Sequence, residues 1–459
     1  MNEIAFPLKS NFEGSRLLFF DEKSSSRSLG DFFGAHRSLN RESILDFILF
    51  GTIVPPYSPL TGVRHLFPGE TIDGSGASSE YRALDLEFKR QDIRGFVEDF
   101  DALLQTYFER NPVSEPALLL SGGIDSAIIA SYLGKKTACI TWGGWGEDTS
   151  DVVFAKETAN EFGIRDHHFV YVDYERDNEL YQRIVRKLKI PLLFHDAVPH
   201  MRMAEKAKEL GIANWFMGQN ADTVLVSYPA PIFVRRLVMA NRFLPANSFF
   251  FLRDRRKYLF STASIVRLFA YFKSQGIFPG PWITVPEEYF RSKEECIAPY
   301  ISARDLMQRI ILTEELLTES RRNQISQNEI PAIFGIDVKC PYYSKEFVNL
   351  ALRIPMNLRK LDGYDKAVFK ELARKRGVPA AVVEKKKKGL SYGYREFMRA
   401  GMHIPIWDKM ERDDFTNAFV RIKKIREKRE NDFFTFDCLR SVYEWGELVA
   451  KPHGFSITS

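Results

Sequence analysis

The chain has 459 residues, 45% of them hydrophobic and 27% charged, enough to bury a sizeable core and to form two domains rather than one. Its 65 basic and 60 acidic residues leave a formal charge of +5, too small for a protein that coats nucleic acid, although basic residues cluster locally. The cysteines, Cys139, Cys296, Cys340 and Cys438, make neither a CxxC pair nor zinc-finger spacing, so reduced and mostly buried thiols are expected.

The first residues, MNEIAFPLKSNFEGSRLLFF, lack the basic segment, apolar core and small-residue cleavage site of a signal peptide. No apolar run reaches the roughly 18–20 residues that span a bilayer, and a cytoplasmic chain without a transmembrane segment is expected. The stretch GTIVPPYSPLTGVRHLFPGE reads as short strands and turns. The Gly- and Ser-rich DGSGASSEYR at 73–82 marks a composition shift, so residues 1–85 are expected as a small β-rich N-terminal domain and residues 86–459 as the main one.

From Ile93, the spacing of Phe96, Phe100, Leu103, Leu104 and Phe108 predicts an amphipathic helix. Apolar runs at 117–120, 138–141, 169–172 and 214–217 then alternate with helical patterns at 126–134, 151–162 and 199–210. Such alternation predicts an α/β fold, a parallel sheet with flanking helices. Residues 436–450, FDCLRSVYEWGELVA, have helical spacing and are expected to pack on the core.

Between the first run and its helix lies SGGIDS, residues 121–126. In a parallel sheet this loop sits beyond a strand's carboxyl end, where ligands bind. Gly122 and Gly123 allow close backbone approach, Ser121 and Ser126 offer hydroxyls, and the following helix directs its free amides at the site. An anion such as a polyphosphate is the natural occupant. Asp125 fits beside it only if it holds a magnesium ion through oxygen. A plain capped turn is the bland alternative, but strand, hexapeptide and helix coincide here. No GxxxxGK[ST] occurs, which argues against an ordinary P-loop hydrolase.

SGGIDS resembles the SGGxDS pyrophosphate loop of the N-type ATP pyrophosphatases, and residues 91–449 resemble the synthetase domain of the asparagine synthetase and β-lactam synthetase family. Three later segments carry the resemblance: WGGWGEDTSDVVFAKETANEFGIRDHHFVYV at 142–172, FMGQNADTVLVSY at 216–228, and GYDKAVFKELARKRGVPAAVVEKKKKGLSYG at 363–393. The resemblance implies ATP and Mg2+ as cofactors, and transfer of AMP to a substrate carboxylate followed by amine attack. It implies an ATP and pyrophosphate site of Leu120, Ser121, Gly122, Gly123, Asp125, Ser126 and Gly218, with Trp142 walling the adenine. Asp222 matches a second magnesium-binding aspartate, Lys366 a lysine that stabilises charge on the adenylate, and Lys387 and Lys388 a pyrophosphate-binding turn. Asp196 falls at an acidic position of the family, and Arg321 or Arg322 near the acceptor, where either would bind a substrate carboxylate.

Three departures shape the expected function. No cysteine precedes Cys139, whereas glutamine-hydrolysing members begin with a catalytic one; the N-terminal part, whose residues 44–72 resemble the end of a glutaminase domain, is expected to be a remnant without that activity. Gln219 stands where the resemblance places the residue that faces the nucleophile, and an amide cannot act as a general base at neutral pH. Asn220 replaces a glycine in the same loop, implying a differently shaped acceptor pocket. Plain asparagine synthesis is therefore not expected.

The segment at 231–276 is unlike the family core, with Arg235, Arg236, Arg242, Arg253, Arg255, Arg256, Lys257, Arg267 and Lys273 among aromatics against the single acid Asp254. It reads either as a basic face that grips a carrier, a leader peptide or a partner protein, or as a helical lid. The expected activity is an AMP-forming amide ligase acting on a small molecule or peptide that supplies a carboxylate and an amine, in one molecule or two. Ammonia from a partner glutaminase, adenylation of a nucleic-acid base and a catalytically silent scaffold are the alternatives. The chain shows no cysteine pair or RNA-binding module for the second of these, and intact Asp125, Asp222 and Lys366 argue against the third.

Overall fold

The computed structural model describes residues 18–21, 24–36, 38–66, 91–225, 262–274, 278, 281–298, 306–317, 322, 325–361, 364–385 and 394–457, together with strands Leu8–Lys9, Glu70–Asp73 and Gly76–Ser79. The proposed boundary beyond residue 82, Arg321, Lys387, Lys388 and most of the basic insert lie outside them.

A five-stranded parallel sheet organises the chain: β1 (Ala117–Leu119), β2 (Ala138–Gly144), β3 (His167–Tyr171), β4 (Asn214–Phe216) and β5 (Asp337–Lys339). Their order in space is β3-β2-β1-β4-β5, all neighbours parallel. Strand order therefore reverses between β1 and β4, and the crevice at their carboxyl ends is where doubly wound sheets bind ligands. Four of the strands and the α/β class match the sequence expectation. β5 does not appear there, because its three residues, DVK, carry two charges and no apolar run.

The helices that bear on the site are α1 (Arg41–Phe50), α2 (Ile93–Arg110), α3 (Ile124–Leu133), α4 (Ser150–Glu161), α5 (Tyr174–Leu188), α6 (Phe194–Glu209), α7 (Ala221–Val224), α8 (Thr262–Lys273), α9 (Glu287–Ile297), α10 (Leu306–Leu317), α11 (Ala367–Lys375) and α12 (Phe433–Trp445). Asp92 caps α2, accepting from the Gly95 amide at 2.9 Å, and Phe96, Phe100, Leu104 and Tyr107 bury one face. α3 is apolar on most sides and lies between α2, α4 and α11, so packing rather than amphipathicity holds it. No helix among the described residues is long and apolar enough to cross a membrane.

The N-terminal part contains an antiparallel set, Leu8–Lys9, Glu70–Asp73 and Gly76–Ser79, in which the Gly- and Ser-rich stretch supplies the last strand. A second antiparallel set joins Ser25–Ser26, Phe19–Phe20 and Arg64–His65. Helix α1, unexpected in a β-rich segment, is capped by Asn40 and ended by Gly51 at φ 75°. Its buried Ile44, Phe47, Ile48 and Phe50 belong to the same continuous apolar cluster as the sheet. Cys139, Cys340 and Cys438 are buried, Cys296 is half-buried, and none forms a disulfide.

One polar chain runs through the sheet beneath the loop. The Thr141 hydroxyl donates to the Leu120 carbonyl at 2.5 Å and lies 2.8 Å from His167 Nε2. A hydroxyl has one proton, so Nε2–H is the donor to Thr141. Burial first, then the charges of His168 and Lys156, push the His167 pKa down to about 4. The unfolded histidine binds its proton near pH 6.5, the folded one near 4, so this contribution to stability is complete above about 6.5 and is lost as pH falls towards 4. Relative to His167→Gln, the wild type is expected to lose about 1–2 kcal/mol by pH 5, read from urea midpoints of both proteins at pH 7 and 5.

Candidate active site

The loop after β1 is folded around its serines. Ser126 Oγ accepts from the Ser121 amide at 3.1 Å and lies 3.0 Å from Ser121 Oγ, 3.0 Å from the Ser121 carbonyl and 3.1 Å from the Gly123 carbonyl. The Gly123 amide in turn donates to Ser121 Oγ at 3.3 Å. Both hydroxyls thus brace the loop from inside. What faces outward is the N-terminus of α3, whose first-turn amides have no intrahelical acceptor.

Two glycines are required by close approach. A Cβ on Gly122 would lie 2.8 Å from the Asp151 Cα and 2.9 Å from the Lys385 Nζ; one on Gly218 would lie 2.9 Å from the Ser126 amide nitrogen. The first glycine admits the start of α4 and the second presses the loop after β4 against α3. Thr149 holds α4 in place by donating to the Gly143 carbonyl at 3.1 Å.

Asp125, in the first turn of α3, and Asp222, in the first turn of α7, meet at the switch point. Lys366 Nζ lies 2.7 and 2.6 Å from the two Asp125 oxygens and 2.5 Å from Asp222 Oδ1. The ammonium is nearly buried and the carboxylates keep 14% of their side-chain surface. Lys366 caps α11 in the left-handed region at φ 56°, a conformation that costs a non-glycine residue of order 1 kcal/mol. Residues separated by 241 positions are thus brought to one point.

A second lysine stands at the loop. Lys385 Nζ donates to the Gly122 carbonyl at 3.0 Å and to Asp151 Oδ1 at 2.8 Å, and it lies over the Phe154 ring. The resemblance places the pyrophosphate-binding lysines at Lys387 and Lys388, outside the described residues; within a run of four lysines nothing distinguishes the first. Asp151 was likewise passed over, one acid among several in GEDTSD.

The other expected residues fall as follows. Leu120 is buried, its amide donating to the Ile140 carbonyl. Trp142 lies in β2, only 3% exposed within the main core. Gln219 is half-buried, and its carbonyl accepts from Cys340 Sγ at 3.3 Å. Asn220 takes the left-handed conformation at φ 80° that a glycine would adopt freely, and its side-chain amide donates to the Tyr342 carbonyl at 2.9 Å. Asp196 and Arg322 come together, but with each other: they form an ion pair, Asp196 also lies 3.1 Å from His195 Nε2, and His195 Nδ1 contacts Asp437. Burial opposes charge on His195, yet Asp196 and Asp437 outweigh it and raise its pKa. A substrate carboxylate at Arg322 has to compete with Asp196. The described part of helix α10, in the segment leading to Arg321 and Arg322, runs from Leu306 to Leu317.

In the insert, Arg267 is ion-paired to Glu287, and Lys273 Nζ lies 2.8 Å from the buried Glu314. These two cations tie α8 to α9 and α10. The arginines at 235, 236, 242, 253, 255 and 256 lie outside the described residues, as does Lys257.

The donor set suits Mg2+ bound together with a nucleotide. Two carboxylates converge on one cation, and no group of three or more His, Cys, Asp or Glu among the described residues forms a protein cage. Mg2+ is commonly held by one or two carboxylates plus phosphate oxygens and waters. The Lys366 ammonium stands at the point such an ion would share.

A search of curated proteins finds no significant match. Comparison with protein families matches residues 113–430 to asparagine synthase. That match spans the sheet, the loop Ser121–Ser126, Asp222 and Lys366, and by it the chain belongs to the asparagine synthase family.

Proposed function

We propose that this protein uses ATP and Mg2+ to adenylate a substrate carboxylate and then joins the acyl group to an amine, releasing pyrophosphate and AMP. The family consists of ATP-dependent ligases that make carbon–nitrogen bonds; the AMP-forming course, the specialised metabolite or peptide substrate and the residue roles are this proposal. The observation that carries it is the convergence of Asp125, Asp222 and Lys366 beside a glycine-rich loop at the switch point of the sheet.

The chemistry follows from the charges. A carboxylate oxygen forms a bond to the α-phosphorus of ATP as the bond to the bridging oxygen breaks, and pyrophosphate departs with that electron pair. The α3 amides and the Lys385 ammonium bear on the phosphates, lowering the repulsion that resists carboxylate approach. Bound Mg2+ supplies charge neutralisation of the leaving pyrophosphate, with Asp125 and Asp222 as its protein ligands. Amine attack on the acyl carbon then forms the C–N bond and expels AMP, with Lys366 opposing the charge that builds on the acyl oxygen and phosphate. Gln219 accepts a hydrogen bond from the amine but takes no proton; a substrate carboxylate or solvent removes it.

The test is mass-spectrometric detection of AMP and coupled product with ATP, Mg2+ and extract from the producing cells, comparing wild type with Asp125→Ala. AMP together with a species one water lighter than its precursors is the expected outcome, absent from the variant. ATP that binds without ever yielding AMP, with ammonia also supplied, contradicts the proposal.

A further inference from the structure

The two loops that carry Asp125 and Asp222 are fastened to each other through Asn220 and Tyr342. Tyr342, fully buried in the turn after β5, donates its hydroxyl to the Asp125 carbonyl at 2.8 Å, and its own carbonyl accepts from Asn220 Nδ2 at 2.9 Å. Asn220 lies two residues before Asp222, and 122 residues separate it from Tyr342. The strut therefore runs from the first turn of α3, through the segment after β5, to the residue that caps α7. Two further contacts lie parallel to it: Gly218 fits against the Asp125 and Ser126 backbone, and the Met217 amide donates to the Lys339 carbonyl at 3.0 Å.

Asn220 is held in a conformation that suits glycine better, its carbonyl accepting from the Thr223 and Val224 amides. It sits at φ 80°, where glycine is unstrained, and makes no side-chain cap to α7. Its amide goes instead to Tyr342, and the buried tyrosine goes to the other aspartate's helix turn. Groups that orient metal ligands without touching the metal set affinity through ligand spacing, and Mg2+ tolerates little deviation from its octahedron at 2.0–2.1 Å, roughly, from each oxygen.

We propose that Asn220 and Tyr342 are positioning residues that fix the separation of Asp125 and Asp222, and thereby the affinity of the site for the divalent ion bound with ATP. This rests on the ATP- and Mg2+-dependent reading above. Tyr342→Phe removes one hydroxyl, and Asn220→Gly removes the amide while relieving the left-handed backbone, so the second variant keeps the test valid if the first folds poorly.

The probe is Mn2+ titrated by electron paramagnetic resonance in the presence of α,β-methylene-ATP, with melting temperatures and the Mg2+ dependence of AMP release alongside. In each variant the Mn2+ dissociation constant is expected to rise roughly tenfold. AMP release is expected to need correspondingly more Mg2+ in both variants, its rate at saturating Mg2+ staying near wild type in Tyr342→Phe, and Asn220→Gly is expected to melt at the wild-type temperature. Unchanged Mn2+ affinity in both variants, with tight wild-type binding, overturns this proposal alone. Failure of the wild type to bind Mn2+ with the nucleotide overturns both this proposal and the reading beneath it.

Discussion

Lys366→Ala is expected to fold and to form AMP at least on the order of 10²–10³-fold more slowly than wild type, the loss seen when one group stabilising transition-state charge is removed. The geometry explains why the effect should exceed that of replacing Lys385. Lys366 Nζ touches both carboxylates, at 2.5–2.7 Å, whereas Lys385 touches one carboxylate, Asp151, and a carbonyl. Removing Lys366 takes away the ammonium that Asp125 and Asp222 share. Two like charges near one point attract a divalent ion in place of the lost ammonium.

The variant therefore has a second signature besides lost turnover. Without nucleotide, Mg2+ should raise its melting temperature more than it raises that of the wild type, where the ion competes with Lys366 for the same oxygens. Adding Asp222→Asn to Lys366→Ala should remove the extra Mg2+ effect. Turnover within tenfold of wild type in Lys366→Ala, or an identical Mg2+ shift in both proteins, removes the assigned role.

Asp125 is legible from the SGGIDS pattern itself, and Asp222 and Lys366 from the family resemblance, because each motif is local in the chain. SGGIDS is contiguous, Asp222 follows an apolar strand within a short loop, and Lys366 opens a helix whose buried Val368, Phe369 and Leu372 have helical spacing. The strand alternation that predicts the parallel sheet is also local, each run lying next to its helix. Helix α5 is absent from the sequence expectation: Leu180, Ile184 and Leu188 keep four-residue spacing, but its many charges mask the apolar stripe. What is not local is not legible. Tyr342 acts through a backbone carbonyl 217 positions away, and no periodicity marks a hydroxyl whose partner belongs to the main chain. Lys385 is hidden by its three lysine neighbours, and the Asp196–Arg322 pair looks, before folding, like two separate substrate contacts.

The same limit applies to one buried contact between α1 and the rest of the chain, and it carries the largest expected change in stability. Asp46 of α1 and Lys293 of α9 are both fully buried and 2.6 Å apart, and Tyr289 donates to the other Asp46 oxygen at 2.5 Å. The Lys293 ammonium also lies over the Tyr57 and Tyr289 rings. Burial pushes the Asp46 pKa up to about 6 even though Lys293 and Tyr289 pull it down, so desolvation wins here and the pair itself is a costly one. Lys293→Met leaves that carboxylate with the tyrosine alone, and breaking a buried pair from one side costs about 3–5 kcal/mol. Asp46→Leu combined with Lys293→Met removes both charges, and is expected to recover most of that loss or to exceed wild-type stability. Urea denaturation of the three proteins reads the difference directly. A Lys293→Met variant as stable as wild type would show that apolar packing of α1 in the core suffices, with the ion pair contributing nothing.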